Sequence, residues 1–161
     1  MRAALLCMIA GGLVIGFTIP MGNRAPVAQA ESANSKPAPD APRGTKLARA
    51  ANGHFYTDAY VNRKTIHFVV DTGATDVALT IDDARMAGIK VDPTQFRIVG
   101  TGASGAVTGQ EVNLDEVELD GKRVRDLKGV VLQGLAVSLL GQNYLRQLHS
   151  VEISADTMTL R

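Results

Sequence analysis

From about residue 54 onward, apolar and polar side chains alternate in short runs, the period of strands with one buried face. His54–Val61 alternates and ends at the turn Asn62-Arg63-Lys64, and Thr65–Val70 follows as a second strand. Val77-Ala78-Leu79 is a short buried continuation. Thr80 then caps a short helix from Ile81 to about Ala87, with Asp82 and Asp83 in its first turn and Gly88 as its stop. Phe96–Val99 and Ala106–Val112 bracket a glycine-rich tip, and the period slips at Asp115-Glu116, which predicts a bulge or bend. Asp120-Gly121 is a hairpin turn. Val130-Val131-Leu132 and Val137–Leu140 read as apolar strands, and Gln142–Leu148 as a short helix behind Gly141. Val151–Ile153 and Met158–Leu160 close the chain around Ala155-Asp156. The pattern predicts one mainly β domain with two short helices over residues 50–161, roughly 110 residues, enough for one core and not for two lobes.

The first part of the chain is patterned differently. Residues 3–21 carry no charge and follow Arg2, which makes the run about as long as the ~20 residues that span a bilayer. A signal anchor fits that length; a cleaved signal peptide fits Ala28-Gln29-Ala30, a small-x-small site. Both readings leave Arg2 inside and export the chain beyond Met21. The run therefore predicts either a membrane anchor with the domain on the far side, or release after cleavage near Ala30. Residues 22–49 hold four of the six prolines and have no hydrophobic period, so a disordered linker is expected.

Composition narrows the classes. A net charge of +1, 45% hydrophobic and 20% charged residues describe an ordinary folded domain with an attachment. No basic block interleaved with aromatics suggests a nucleic-acid partner. The one cysteine, Cys7, lies in the apolar N-terminal run, so the domain is expected to have no disulfide, thiol nucleophile or cysteine metal site. His54, His67 and His149 lack metal-ligand spacing, and no metal or cofactor is expected.

The candidate chemistry lies in Asp71-Thr72-Gly73, directly behind Phe68-Val69-Val70. A carboxylate there is costly to bury unless it is hydrogen-bonded or shared. A plain turn, in which Asp and Gly are routine, accounts for the tripeptide equally well. Peptide hydrolysis by carboxylates needs two of them facing one water. The chain has one Asp-Thr-Gly, so the second would come from a second copy.

Phe68-Val69-Val70-Asp71-Thr72-Gly73-Ala74-Thr75-Asp76-Val77 resembles the active-site strand and turn of the retropepsins, the aspartic proteases of retroviruses. Further on, Ser138-Leu139-Leu140-Gly141-Gln142-Asn143-Tyr144-Leu145 resembles their second signature, with a glycine-rich hairpin between the two. Asp71–Ile89 resembles in particular the single-pass, periplasm-facing retropepsin-like proteases of bacteria. The resemblance implies a closed β-barrel with a single lobe per chain, active as a homodimer on peptide or protein substrates. It implies that Asp71 is catalytic, that Thr72 and Gly73 support the catalytic turn, and that Ala74, Thr75, Asp76, Ala78, Val137 and Leu139 line substrate subsites. Leu140 and Gly141 would pack beneath the site, and Gly100, Thr101, Gly102, Ala103, Ser104 and Gly105 would form a mobile flap. Ala78, Val137, Leu139, Ile98 and Val107 then point to small-to-medium apolar substrate side chains.

The chain departs from the family in places. Retroviral enzymes usually place Asp where Thr75 stands and Arg where Gln142 stands, and here both are neutral, which avoids a stranded buried charge. Ala74, where many pepsin-type enzymes carry Ser, removes a hydroxyl donor, so mildly acidic activity is expected. Gly100 to Gly105 also fits G-x-G-x-x-G, but the β-branched, glycine-broken run behind it is a poor helix, which favours a hairpin tip over a nucleotide cradle. In retropepsins the terminal strands interleave between protomers; Ser150–Leu160 fits that use or an intramolecular hairpin. Two other functions remain open: a non-catalytic binding or assembly domain on the same fold, and a regulatory protease with one partner.

Overall fold

The structure, a computed structural model, describes residues 43–102 and 105–161. The apolar run 3–21, the site at Ala28-Gln29-Ala30, Cys7, most of the 22–49 stretch, Ala103 and Ser104 lie outside the described residues. Alternation in β2 (Tyr56–Val61) and β3 (Lys64–Val70) folds them into a hairpin, Tyr56 pairing Val69 and Val61 pairing Lys64. Its turn is shorter than expected: Asn62 and Arg63 carry φ of 49° and 68°, and Lys64 already belongs to the strand. A two-residue turn with both centres at positive φ matches the twist of the strands it joins. Asp120 and Gly121 (φ 50° and 82°) repeat the device between β6 (Gly105–Leu119) and β7 (Lys122–Leu132).

The larger sheet runs β2-β3-β8-β4-β7-β6-β5, with β4 at Val77–Leu79, β5 at Arg97–Gly102 and β8 at Ser138–Leu140. β2 also pairs with β6 through Tyr60–Glu118 and Val61–Val117, which closes the sheet into a barrel. Inside it pack Val61, Ile66, Phe68, Val77, Leu79, Leu114, Val117, Val131 and Leu140, all buried. Tyr144 is buried with them; its hydroxyl donates to the Lys122 carbonyl at 2.7 Å, and burial pushes the phenol far up, so it stays a neutral donor.

Helix α1 (Ile81–Met86) begins as expected: Thr80 Oγ1 accepts the Asp83 amide at 3.1 Å, and Gly88 ends the turn at φ 76°. Asp92 caps a 3₁₀ turn at Pro93–Gln95, its carboxyl held below the ordinary range by Thr94, first through the hydroxyl and then the amide. Helix α2 stops at Gln142–Leu145, shorter than the expected run to Leu148. The slip at Asp115-Glu116 shows in burial and as a missing Asp115–Asp126 pair, without a shift of register. Leu114 and Val117 are both buried, three positions apart, while β6 and β7 keep one register; the irregularity falls on β7, where Asp126 carries φ 52°.

A second sheet, β1-β10-β9, joins β1 (Thr45–Ala48) to β10 (Thr157–Leu160) and β9 (Val151–Ser154). β1 lies at the end of the 22–49 stretch expected as linker, so the ordered fold starts earlier than residue 50. Its pairing partner comes from the far end of the chain: Thr45 pairs Leu160 and Ala48 pairs Thr157. Thr45 Oγ1 donates to Asp120 at 2.5 Å, and Lys122 donates to Thr45 Oγ1 at 2.8 Å and to the Arg43 carbonyl. Burial holds that Lys122 ammonium below its ordinary range, with Asp120 opposing the shift. β9 and β10 form a hairpin within the chain, turning at Ala155 (φ 48°).

Candidate active site

Asp71 follows the last residue of β3, where the strand leaves the barrel wall. β8 lies beside it: Phe68, Val69 and Val70 run parallel to Ser138, Leu139 and Leu140, and Ala78 of β4 pairs antiparallel with Leu139. The Asp71 amide donates to the Leu140 carbonyl at 3.1 Å, so the residue is pinned at its backbone. Its side chain is half-buried, and Oδ1 accepts the Gly73 amide at 2.8 Å. Ala74 then donates to the Asp71 carbonyl at 3.3 Å, which closes the turn.

The turn 72–77 is gripped from behind by the start of α2. Gly141 permits the approach: a Cβ there would sit 2.2 Å from the Asp76 carbonyl oxygen. Gln142 donates its amide to Ala74 O at 2.8 Å and its side-chain Nε2 to Thr72 O at 2.9 Å. Asn143 donates its amide to Thr75 O at 2.9 Å; its Oδ1 accepts the Val77 amide at 3.0 Å, and its Nδ2 donates to Asp76 Oδ1 at 3.0 Å and Lys128 O at 2.7 Å. Below this, buried Ser138 donates to Asp83 Oδ2 at 2.6 Å and accepts the Thr80 amide at 3.1 Å, tying α1 to β8.

The residues singled out by sequence are thus largely brought together. Thr72, Gly73 and Thr75 are exposed on the turn, Ala74 and Asp76 half-buried in it, and Leu140 and Gly141 buried beneath. Val137 and Leu139 are half-buried on the β8 side. Ala78 is 3% exposed and sits behind the surface rather than on it. Gly100, Thr101, Gly102 and Gly105 are exposed on the β5–β6 hairpin, where Gly102 pairs Gly105; a strand begins at Gly105, not the helix that a nucleotide cradle requires.

A cleft of about 500 Å³ lies between Asp76 and strands β5, β6 and β7, with Val99, Glu111, Val112, Lys128 and Val130 in its walls. Asp71 does not line it; the turn reaches it through Asp76. The cleft is charged: Asp76, Glu111 and Lys128 line it, and Glu111 is paired with Arg97 at 2.8 Å. The roles of Gln142, Asn143 and Ser138 were not legible in the sequence, although all three lie in the signature stretch at 138–145.

Comparison with known proteins supports the architecture independently. The family model described as "gag-polyprotein putative aspartyl protease" matches residues 57–147. An uncharacterized protein of Rickettsia prowazekii (strain Madrid E) is 36% identical over 115 residues, covering 71% of this chain and 49% of that protein. An uncharacterized protein from the cobV 5′ region of Sinorhizobium sp is 33% identical over 117 residues, covering 71% of this chain and 50% of its own length. The chain therefore spans about half the length of these relatives. Among solved structures, a retropepsin-like aspartic protease from Rickettsia conorii superposes with a TM-score of 0.61 at 35% identity, covering 73% of this chain and 89% of that one. EIAV protease in complex with an inhibitor shares the fold at a TM-score of 0.50 and 18% identity, over 62% of this chain and 91% of that one. With a single Asp-Thr-Gly turn set on a closed barrel, the chain belongs to the retropepsin-like aspartic protease family.

Proposed function

We propose that this chain is an aspartic endopeptidase that works as a homodimer, hydrolysing extended peptide segments with a water held between two Asp71 carboxylates, one per protomer. The observation that carries the reading is the Asp71 carboxylate itself, half-exposed at the end of a barrel strand, with one oxygen held by Gly73 and one such turn per chain. Two carboxylates facing each other share a proton because like charges in contact cannot both ionise cheaply. The ionised member takes a proton from the water as its oxygen attacks the scissile carbonyl; the protonated member donates to the carbonyl oxygen. Thr72 would reach the partner's turn, and the β5–β6 hairpin would close over the peptide and exclude water.

Among the described residues β9 has no strand on its outer edge, which supports a second copy as the partner. Ser150 and Arg161 exchange both main-chain bonds at 3.1 and 3.0 Å, so by antiparallel alternation Val151 and Ile153 turn their N–H and C=O groups outward. Two copies related by a twofold axis through Glu152 would pair Val151 with Ile153 of the other, giving four hydrogen bonds. Glu152, held below the ordinary carboxylate range first by its hydrogen bond to Arg161, faces away with its charge paired. The other sheet edges are blunted: β5 carries Arg97, two glycines and a register shift after Ile98, and β1 carries Lys46. Residues 3–21 would hold such a dimer at a bacterial inner membrane facing the periplasm, where confinement raises the effective concentration of a weak pair; cleavage near Ala30 would release it.

The test uses the full chain against an unfolded protein between about pH 4 and 7. Wild type should cleave, a statine-type inhibitor should block it, and Asp71→Asn should be inert while remaining folded. Equal inertness of wild type and variant in a confirmed dimer would show a non-catalytic domain.

A further inference from the structure

Gln142 stands where the retroviral pattern carries the cationic half of an ion pair, yet it does not turn to Thr75, whose side chain is exposed. Its Nε2 reaches the Thr72 carbonyl at 2.9 Å. That carbonyl and the Gly73 N–H are the two ends of one peptide unit, which is planar and rigid. The Gly73 N–H is the group that donates to Asp71 Oδ1 at 2.8 Å. The bonds therefore run in series: Gln142 amide to Thr72 carbonyl, then across the peptide plane to Gly73 N–H and the Asp71 carboxylate. Serial hydrogen bonds polarise one another. Rotating that plane would swing the N–H away from the carboxylate, and a donor gripping the opposite end resists the rotation.

We propose that Gln142 is a positioning residue for Asp71, acting through the Thr72–Gly73 peptide plane. It replaces the ion pair of the viral pattern with a neutral clasp on a different acceptor. The grip is specific to the side chain, because the Gln142 backbone amide is already spent on Ala74 at 2.8 Å and Asn143 holds only Thr75, Asp76, Val77 and Lys128. A wider side chain is not needed at this place: the amide satisfies a single carbonyl and leaves no charge behind if the turn moves. The inference rests on the proposed protease reading for its kinetic consequences, but not for its geometry.

Two variants separate the clasp from general packing. Gln142→Leu removes the donor at every pH; kcat should fall about tenfold with KM little changed, since one hydrogen bond to the catalytic turn is lost. Gln142→Glu places a carboxylate against the Thr72 carbonyl at neutral pH, and protonation near its ordinary value of about 4.3 restores a donor. The activity ratio of Gln142→Glu to wild type should therefore climb as pH falls through that range, while the ratio for Gln142→Leu shows no such recovery. Asp71 and Asp76, the carboxylates of the same turn, are present in all three proteins, so the Gln142→Leu ratio carries any pH dependence they contribute and is the reference against which the Gln142→Glu ratio is read. The ¹H shift of the Gly73 amide reads the clasp without any turnover, and should move upfield in Gln142→Leu. A wild type that never cleaves would sink the protease reading and leave the Gly73 amide to decide the clasp. An unmoved Gly73 amide, together with a Gln142→Glu ratio that is flat in pH wherever turnover exists, overturns the proposal.

Discussion

Replacing Gly141 by alanine puts a methyl group where the 74–76 turn already lies. The added Cβ would sit 2.2 Å from the Asp76 carbonyl oxygen, 2.5 Å from the Asp76 carbonyl carbon and 3.1 Å from the Ala74 oxygen. All three are backbone atoms, so no side chain can swing aside. The Gly141 φ of −90° suits any residue, and the cost is therefore steric rather than conformational. Reaching ordinary contact requires β8 and α2 to back away from the turn by about 1 Å. That movement breaks the bonds from the Gln142 and Asn143 amides to Ala74 and Thr75, now 2.8 and 2.9 Å long. Overpacking costs about 1–3 kcal/mol and the two bonds about 1 kcal/mol each, giving a loss of roughly 3–5 kcal/mol. A domain of this size has only about 5–15 kcal/mol to lose. Urea unfolding followed by circular dichroism should show the Gly141→Ala midpoint far below that of wild type, with the slope unchanged. A variant within about 1 kcal/mol of wild type would falsify the close approach of α2 to the turn.

Ser138→Ala removes a fully buried hydroxyl that donates to Asp83 and accepts from Thr80; it should cost about 1–3 kcal/mol in the same unfolding assay, and a loss below about 0.5 kcal/mol would mean the α1–β8 tie is idle. Ile153→Lys changes an exposed residue (53%) on the β9 edge proposed as the dimer seam, so the monomer should keep its unfolding midpoint while the dimer dissociation constant in sedimentation rises at least about tenfold. Unchanged association in that variant would move the dimer seam elsewhere.

The strands around Asp71 were legible because their burial follows the local period of two; Phe68 and Val70 face the core in the expected register. The Asp71 turn was legible because a carboxylate behind an apolar strand demands explanation. β1 was not, since Thr45-Lys46-Leu47-Ala48 has little pattern of its own and gains its pairing from β10, more than a hundred residues away in sequence. The same holds for Gln142 and Asn143: polar residues at a helix start read as solvated, and only the fold reveals that the turn 72–77 lies against them. The inward turn of Ala78 was not legible either, nor that Glu111 and Lys128, ordinary surface charges by sequence, meet at the cleft beside Asp76.

The central claim is that one active site is built from two chains, and mixing tests it most directly. Wild type at fixed concentration, strong enough to be fully dimeric, is allowed to exchange with an equal amount of Asp71→Asn. If each site needs an Asp71 from both protomers, half of the wild-type chains end in dead hybrids, and cleavage should drop to about half, then further with each added excess of the variant. Activity that stays constant as the variant is added would show that a single Asp71 suffices, and the two-chain site would be wrong.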